Sequence, residues 1–455
     1  VSVPRVHVGT DVWRLDDGRV LVGGAPLRVV RLGGAAVGET LSAEDAASAR
    51  RVERLLEAGL AHPDPAELDE VSLDELTVVV PVFGRAAPLD RLLAGLGGVR
   101  VVVVDDGTPQ PAAADLAAIA ERHGAQLLRL ARNAGPASAR NAGMAIARTP
   151  FVAFVDSDVE VGAEELGRLL RHFADPGLAL VGPRIVGAGG SSWIARYENA
   201  RSSVDLGARP ALVRPRSPVA WLSSTCLVAR RSALGEGFTA GRRVAEDVDL
   251  VWRLAEAGQR VRYEPRVAVR HTHRARLAPW FARKLFYGTG AADLAADHPS
   301  AIVPAILRPW SIGMLIALCA GRRWSLPAAA AITLGAAWRL RGRLPEMRGR
   351  SALAVRLAGS GALSAVAQLS ALALRHWWPA AAVLCVFSRR ARWIVAGLAI
   401  VDAEVERRRT RSDLDPLRFL VARRLDDIAY GAGVWLGCVR RRSFRALRPE
   451  LWPPR

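Results

Sequence analysis

An α/β fold built on a mostly parallel sheet is predicted for residues 71–300, and three observations predict it. Near-continuous apolar runs recur at short intervals: TVVVPVF from Thr77, VRVVVVDDG, QLLRL and FVAFVDSD. Stretches with apolar residues at helical spacing separate them: APLDRLLAGL, PAAADLAAIAERHG and PASARNAGMAIAR. The runs do not alternate polar with apolar, so each strand is expected to be covered on both faces, as in a parallel sheet flanked by helices.

Ahead of this core, residues 1–70 read as a small module. VWRLDDGRVLVGG and PLRVVRL form short strands around an Asp-Gly turn, and AEDAASARRVERLLEAG forms a helix closed by Gly59. HPDPAELDEVSLDE, polar and with two prolines, serves as a linker. The start, VSVPRVHVGTDVW, has no long apolar run, so no signal peptide is expected there.

Charge divides the chain. Residues 1–300 hold 37 Lys and Arg against 35 Asp and Glu, whereas residues 301–455 hold 26 against 9. The basic excess shares its third of the chain with the longest apolar stretches, among them PWSIGMLIALCAG, LAGSGALSAVAQLSALAL and WWPAAAVLCVF. Arginines punctuating apolar runs resemble membrane flanks and not a face that reads nucleic acid. A membrane-associated helical region over 301–455 is therefore expected, with a buried soluble helical domain as the alternative. A bilayer-crossing helix needs ~20 apolar residues, and only 351–374 comes near that length. Residues 414–430 are amphipathic and suit a membrane surface. Four dispersed cysteines, Cys226, Cys319, Cys385 and Cys438, form no CxxC pair and fit a reducing compartment.

The candidate chemistry lies at strand ends. In an open parallel sheet, ligands bind beyond the carboxyl ends of the strands. Those ends carry Pro81-Val82-Phe83, Asp105-Asp106 and Asp156-Ser157-Asp158. One aspartate pair commonly makes a turn; two pairs ending strands of one sheet point to a site. Carboxylates at such a rim suit Mg²⁺ or Mn²⁺, whose other positions take water or phosphate oxygens. Gly135-Pro136 marks a helix start whose free N–H groups can face an anion, and Arg132 and Arg140 add cationic forks. Glu246, Asp247 and Asp249 open a further helix, where acids either complement the helix dipole or accept a proton from an attacking hydroxyl. His271 and His273 share one face of a strand-like segment. Neither GxxxxGK[ST] nor a strand-to-helix GxGxxG occurs, which weakens NTPase and dehydrogenase readings.

Together, VVVPVFGR, VVVVDDGT, RNAGPASARNAG, FVAFVDSDV and AEDVDLVWR make residues 77–275 resemble glycosyltransferase family 2, nucleotide-sugar transferases of the GT-A fold. The resemblance implies an inverting, metal-dependent hexosyltransferase. Asp247 would be the general base. Pro81, Phe83, Arg85, Asp105, Asp106, Arg140, Asp156 and Glu246 would hold the nucleotide-sugar. Asp156, Asp158 and His271 would hold the divalent metal, Mg²⁺ or Mn²⁺. Residues 10–40 also resemble the winged-helix modules that recognise precursor peptides. Taken with the apolar C-terminal third, this implies a UDP-sugar donor, UDP-glucose favoured, and a β-linked hexose on a peptide-derived redox cofactor. The expected place is the cell membrane, catalytic domain cytoplasmic, with no nucleic-acid partner. A family 2 transferase of cell-envelope glycan or a lipid-linked acceptor is the enzymatic alternative. A catalytically dead membrane scaffold is the other. The absence of a QxxRW-type motif counts against a processive polymerase.

Overall fold

The computed structural model describes residues 5–32, 37–42 and 45–451. Parts of the expected N-terminal module, at 1–4, 33–36 and 43–44, and the last four residues of the C-terminal region lie outside the described residues. The chain divides into two compact units, one of residues 1–14, 21–189 and 202–273, the other of 15–20, 190–201 and 274–455.

The first unit is organised by a nine-stranded sheet, whose strands are numbered here along the chain: β1 (Leu76–Val82), β2 (Arg100–Asp105), β3 (Gln126–Arg129), β4 (Phe151–Val155), β5 (Val159–Glu160), β6 (Leu178–Gly187), β7 (Ala211–Leu212), β8 (Cys226–Arg230) and β9 (Arg260–His271). The order is β5-β9-β6-β8-β4-β1-β2-β3, with β7 against β9. The four strands expected from the apolar runs form the parallel half, β4-β1-β2-β3. Their burial follows from sequence: Leu76, Val78, Val80, Val103, Ala153 and Val155 are fully enclosed, packed with Leu89, Leu92, Leu116 and Leu166 from the covering helices.

The remaining half corrects the expectation of a mostly parallel sheet. Strand β8 runs antiparallel to both β4 and β6, and β5 and β7 run antiparallel to β9. Only β6 and β9 pair in parallel there. The sheet is mixed because β8, CLVAR, follows a loop rather than a helix, and a strand without a crossover helix is free to run back.

The N-terminal part of this unit has an antiparallel sheet of Val6–Val8, Thr40–Leu41 and Ala61–Pro63. Its helix, Ala46–Glu57, starts at Asp45, whose carboxylate accepts from the N–H groups of Ala47 and Ser48. Val52, Leu55 and Leu56 of that helix pack on Val6, Leu21 and Leu60.

The second unit is helical: Trp193–Ala200, Leu277–Thr289, Pro309–Cys319, Ser325–Arg341, Arg350–Ala371, Trp378–Phe387, Arg389–Arg409 and Pro416–Arg441. Two helices touch backbone to backbone where Gly433 faces Leu285: a Cβ on Gly433 would lie 2.0 Å from that carbonyl oxygen. Lys284, the chain's only lysine, is buried with Nζ 2.8 Å from Glu198, which also accepts from the Trp280 indole N–H at 2.9 Å. Tyr197 donates to Asp426 at 3.0 Å beside them. One described helix, Arg350–His376, is long and apolar enough to cross a membrane, with mean hydropathy 1.5 and 22% of its apolar window buried.

Candidate active site

The carboxyl ends of β1, β2 and β4 reach one rim of the sheet, since β1 pairs in parallel with both neighbours and Val82 lies opposite Asp105. Phe83, just past β1, is 48% exposed. At that strand end its ring is open to a planar ligand that could stack on it. The segments that follow β1 and β2 are tied together: Asp105, the last residue of β2, accepts from the Thr108 N–H at 2.9 Å, and the Thr108 hydroxyl accepts from the Gly84 N–H at 3.0 Å.

Asp106 does work that its position in the sequence conceals. Its two carboxylate oxygens accept from the N–H groups of Ala134 (2.7 Å) and Gly135 (2.9 Å), ahead of the helix Pro136–Ile146. Asp106 thus anchors the backbone just ahead of that helix, and the N–H groups of the helix's own first turn, which follow Pro136, are not the ones it holds. Asp106 is 5% exposed.

Arg140 is also turned inward. Its guanidinium donates to Asp156 at 2.6 Å and to Glu246 at 2.9 Å, and it lies over the ring of Phe238. It is 3% exposed. Burial opposes its charge, but Asp156 and Glu246 outweigh that and hold its pKa above the usual arginine value. The residue expected on the diphosphate thus bridges the end of β4 to the start of the helix Glu246–Glu256. Glu246, expected to touch the donor, is buried with Arg140 as its partner.

Two aspartates one residue apart are driven in opposite directions. Burial pushes the Asp156 carboxyl up, even against Arg140. Burial also works to raise Asp158, but His271 and Arg85 more than offset it and hold it down at about 2. His271 Nε2 lies 3.5 Å from Asp158, and Arg85 pairs with the other carboxylate oxygen. His271 is placed there by the pairing of Val159 with His271 across β5 and β9. His273 stands 3.4 Å from His271, ring nitrogen to ring nitrogen.

Among the described residues no group of three or more His, Cys, Asp or Glu is arranged to hold a metal ion. Of the three expected ligands, Asp158 and His271 face each other, while Asp156 faces Arg140. An ionised Asp158 nevertheless suits a hard divalent cation, because Mg²⁺ needs only one or two carboxylates when substrate phosphates and water supply the rest.

Asp247 stands in the first turn of the helix Glu246–Glu256. Its carboxylate accepts from the Ser224 N–H at 3.1 Å and from the Val248 N–H at 2.8 Å. Burial first, and the neighbouring Glu246 carboxylate second, push it up to about 7. The preceding residue, Ala245, has φ 61° and ψ 24°, the left-handed region that a residue with a Cβ rarely adopts. That unfavourable turn sets the Glu246-Asp247 pair at the head of its helix. Asp249, the third acid, is a structural group, bonded to Thr239 and Arg253.

Sequence reading missed Ser224 and Phe238. Ser224 acts through its backbone, which has no side-chain signature, and Phe238 lies 98 residues from the arginine it supports.

The sheet is GT-A-like, with paired carboxylates at its rim. The family model "Glycosyl transferase family 2" matches residues 77–238. Over 98% of its length the chain is 42% identical to the pre-mycofactocin glycosyltransferase of Mycobacterium tuberculosis, covering 97% of that protein. The chain belongs to this glycosyltransferase family. It is also 30% identical over half its length to the N-acetylglucosaminyl-diphospho-decaprenol L-rhamnosyltransferase of the same organism, covering 83% of it. Among solved structures, a mannosyltransferase of Pyrobaculum calidifontis in complex with GDP-Man and Mn²⁺ is similar at 19% identity and a TM-score of 0.41, over 82% of this chain and 91% of that one.

Proposed function

We propose that this chain moves a hexose, glucose in the favoured reading, from a UDP-sugar to pre-mycofactocin with inversion, giving a β-linked product. The observation that supports it most is the Asp247 carboxyl, raised to about 7 beside Glu246, whose partner Arg140 also holds Asp156 just past β4. A base with a pKa near the working pH is both sufficiently unprotonated and sufficiently basic. Asp247 takes the proton of the acceptor hydroxyl as that oxygen attacks the anomeric carbon, opposite the departing nucleoside diphosphate. One displacement inverts the centre and needs no covalent nucleophile.

Asp156, Asp158 and His271 would hold a divalent cation, which when bound offsets negative charge on the leaving diphosphate. Arg85, half exposed beside Asp158, is placed to exchange that partner for the diphosphate. Phe83 offers its ring to the base, next to Pro81. Asp105 and Asp106 shape this nucleotide end, Asp106 by fixing the 134–135 loop. Residues 1–70 form a peptide-recognising, winged-helix-like module, 71–300 the catalytic domain, and 301–455 a membrane-associated region with the catalytic domain on the cytoplasmic side.

The membrane reading draws on exposed apolar side chains, Trp338, Leu363, Phe387 and Trp393 among them. A lipid-linked acceptor is the second reading, favoured by the likeness to the decaprenol rhamnosyltransferase. Radiolabelled UDP-glucose offered with pre-mycofactocin and with decaprenyl-diphosphate sugar separates the two. Label in the peptide-derived product, with a β coupling constant by NMR, is expected. Label only in lipid would remove the proposed acceptor, and an α product would remove inversion.

A further inference from the structure

Away from the aspartate rim, the first unit holds a polar cleft of ≈350 Å³ lined by Arg28, Glu57, Gly177, Arg214, Gly258 and Arg260. That volume is in the ~300–1,000 Å³ range of small-ligand sites. Its position follows from topology. Arg260 begins β9 and Gly177 immediately precedes β6, with Leu178 opposite Arg260. Strand β6 runs antiparallel to β8, and β8 antiparallel to β4, so β6 and β4 point the same way. The cleft therefore lies at the amino ends of the strands, while Asp156 and Asp158 follow the carboxyl end of β4. Ten residues of β6 separate the two rims, roughly 33 Å at strand rise.

Three arginines from three separate segments line it: Arg28 of the N-terminal strand Arg28–Arg31, Arg214 of a loop, and Arg260 of β9. Two of them are held in place. Arg260 contacts Glu53 at 2.6 Å and Asp175 at 3.0 Å, and Arg214 donates to the Ala255 carbonyl at 3.1 Å. Gly177 admits the Arg260 fork, since a Cβ there would come within 2.5 Å of its Nη2. One step further along the same face of β9, Arg262 is 2% exposed, and its Nη2 lies 3.8 Å from Asp175. Arg260 and Arg262 have Glu53 and Asp175 beside them, whereas Arg28 and Arg214 share the cleft wall with the carboxylate of Glu57, and their planar forks match a planar carboxylate. Glu57 in the same wall disfavours a dianionic phosphate and offers an acceptor to an N–H donor.

We propose that this cleft binds a free carboxylate that carries an N–H donor beside it, the chemistry of an amino acid or a peptide C-terminus. The site is separate from the transfer chemistry and stands or falls independently of it.

The full chain, titrated with acetyl-Gly-Ala by ligand-observed NMR, is the test. Saturable binding is expected, with acetyl-Gly-Ala-amide at least about tenfold weaker, about 1.4 kcal/mol, and inorganic phosphate unable to displace the dipeptide. Arg28→Gln and Arg214→Gln, each with an unchanged melting midpoint, should each weaken binding by about tenfold. Arg28 is exposed, so its variant keeps the test open if Arg214→Gln does not fold. Equal binding of the amide, displacement by phosphate, or wild-type affinity in folded variants would each overturn the proposal.

Discussion

At the scale of single residues, Asp247 and Arg140 carry the account. Asp247 must be unprotonated to accept a proton, and its pKa is raised, so activity is present above about 7 and lost below it. kcat/KM is expected to fall about tenfold per pH unit below that value and to level off above it, as read from a pH–rate profile. Because the Glu246 carboxylate contributes to that rise, Glu246→Gln should move the acidic limb to lower pH. A limb that stays in place would detach Glu246 from the base. Arg140 neutralises two carboxylates in a buried setting. Removing one partner of such a group leaves uncompensated charge, typically ~3–5 kcal/mol. Arg140→Gln should lower stability by about 3 kcal/mol in a denaturant titration, while a variant as stable as wild type would mean that the bridge contributes little.

At the scale of elements, close approaches fix where helices and strands sit. Gly433 lets its helix rest on the carbonyl of Leu285, and a methyl group there would have to push the helices apart. Overpacking of this kind costs ~1–3 kcal/mol, so Gly433→Ala should lower the melting midpoint, and a neutral result would show the two helices free to separate. Asp106 ties the loop before Pro136–Ile146. Asp106→Ala should cost about 1–3 kcal/mol, as expected when buried backbone N–H groups lose their acceptor, and a chemical melt measures it. This is also the scale at which the sequence was most and least informative. The parallel strands were legible because runs such as VVVV can only be buried on both faces. Strand β8 was not, since CLVAR after a serine-rich loop carries no periodic signal and its direction depends on tertiary pairing. The aspartate pairs were visible as residues. What they touch was not: Asp106 meets N–H groups 28 residues onward, and Glu246 meets an arginine 106 residues away.

At the scale of the whole molecule, the two units divide the labour. The proposed base Asp247 and the aspartates that follow β4 lie in the first. The second presents apolar surface, including a helix, Trp378–Phe387, without a single buried residue. Burying one large apolar side chain is worth ~1.5–3 kcal/mol, so the double variant Phe387→Ser/Trp393→Ser should bind vesicles at least about tenfold more weakly in co-sedimentation. Undiminished binding would place the membrane contact elsewhere.

The most direct test of a transferase with Asp247 as its base is Asp247→Asn, assayed for sugar transfer to pre-mycofactocin and, by calorimetry, for UDP binding. The amide keeps the size of the carboxylate and cannot take the proton. Transfer should fall by about 10³-fold or more with UDP affinity unchanged. Transfer at the wild-type rate by a folded Asp247→Asn protein would contradict the mechanism.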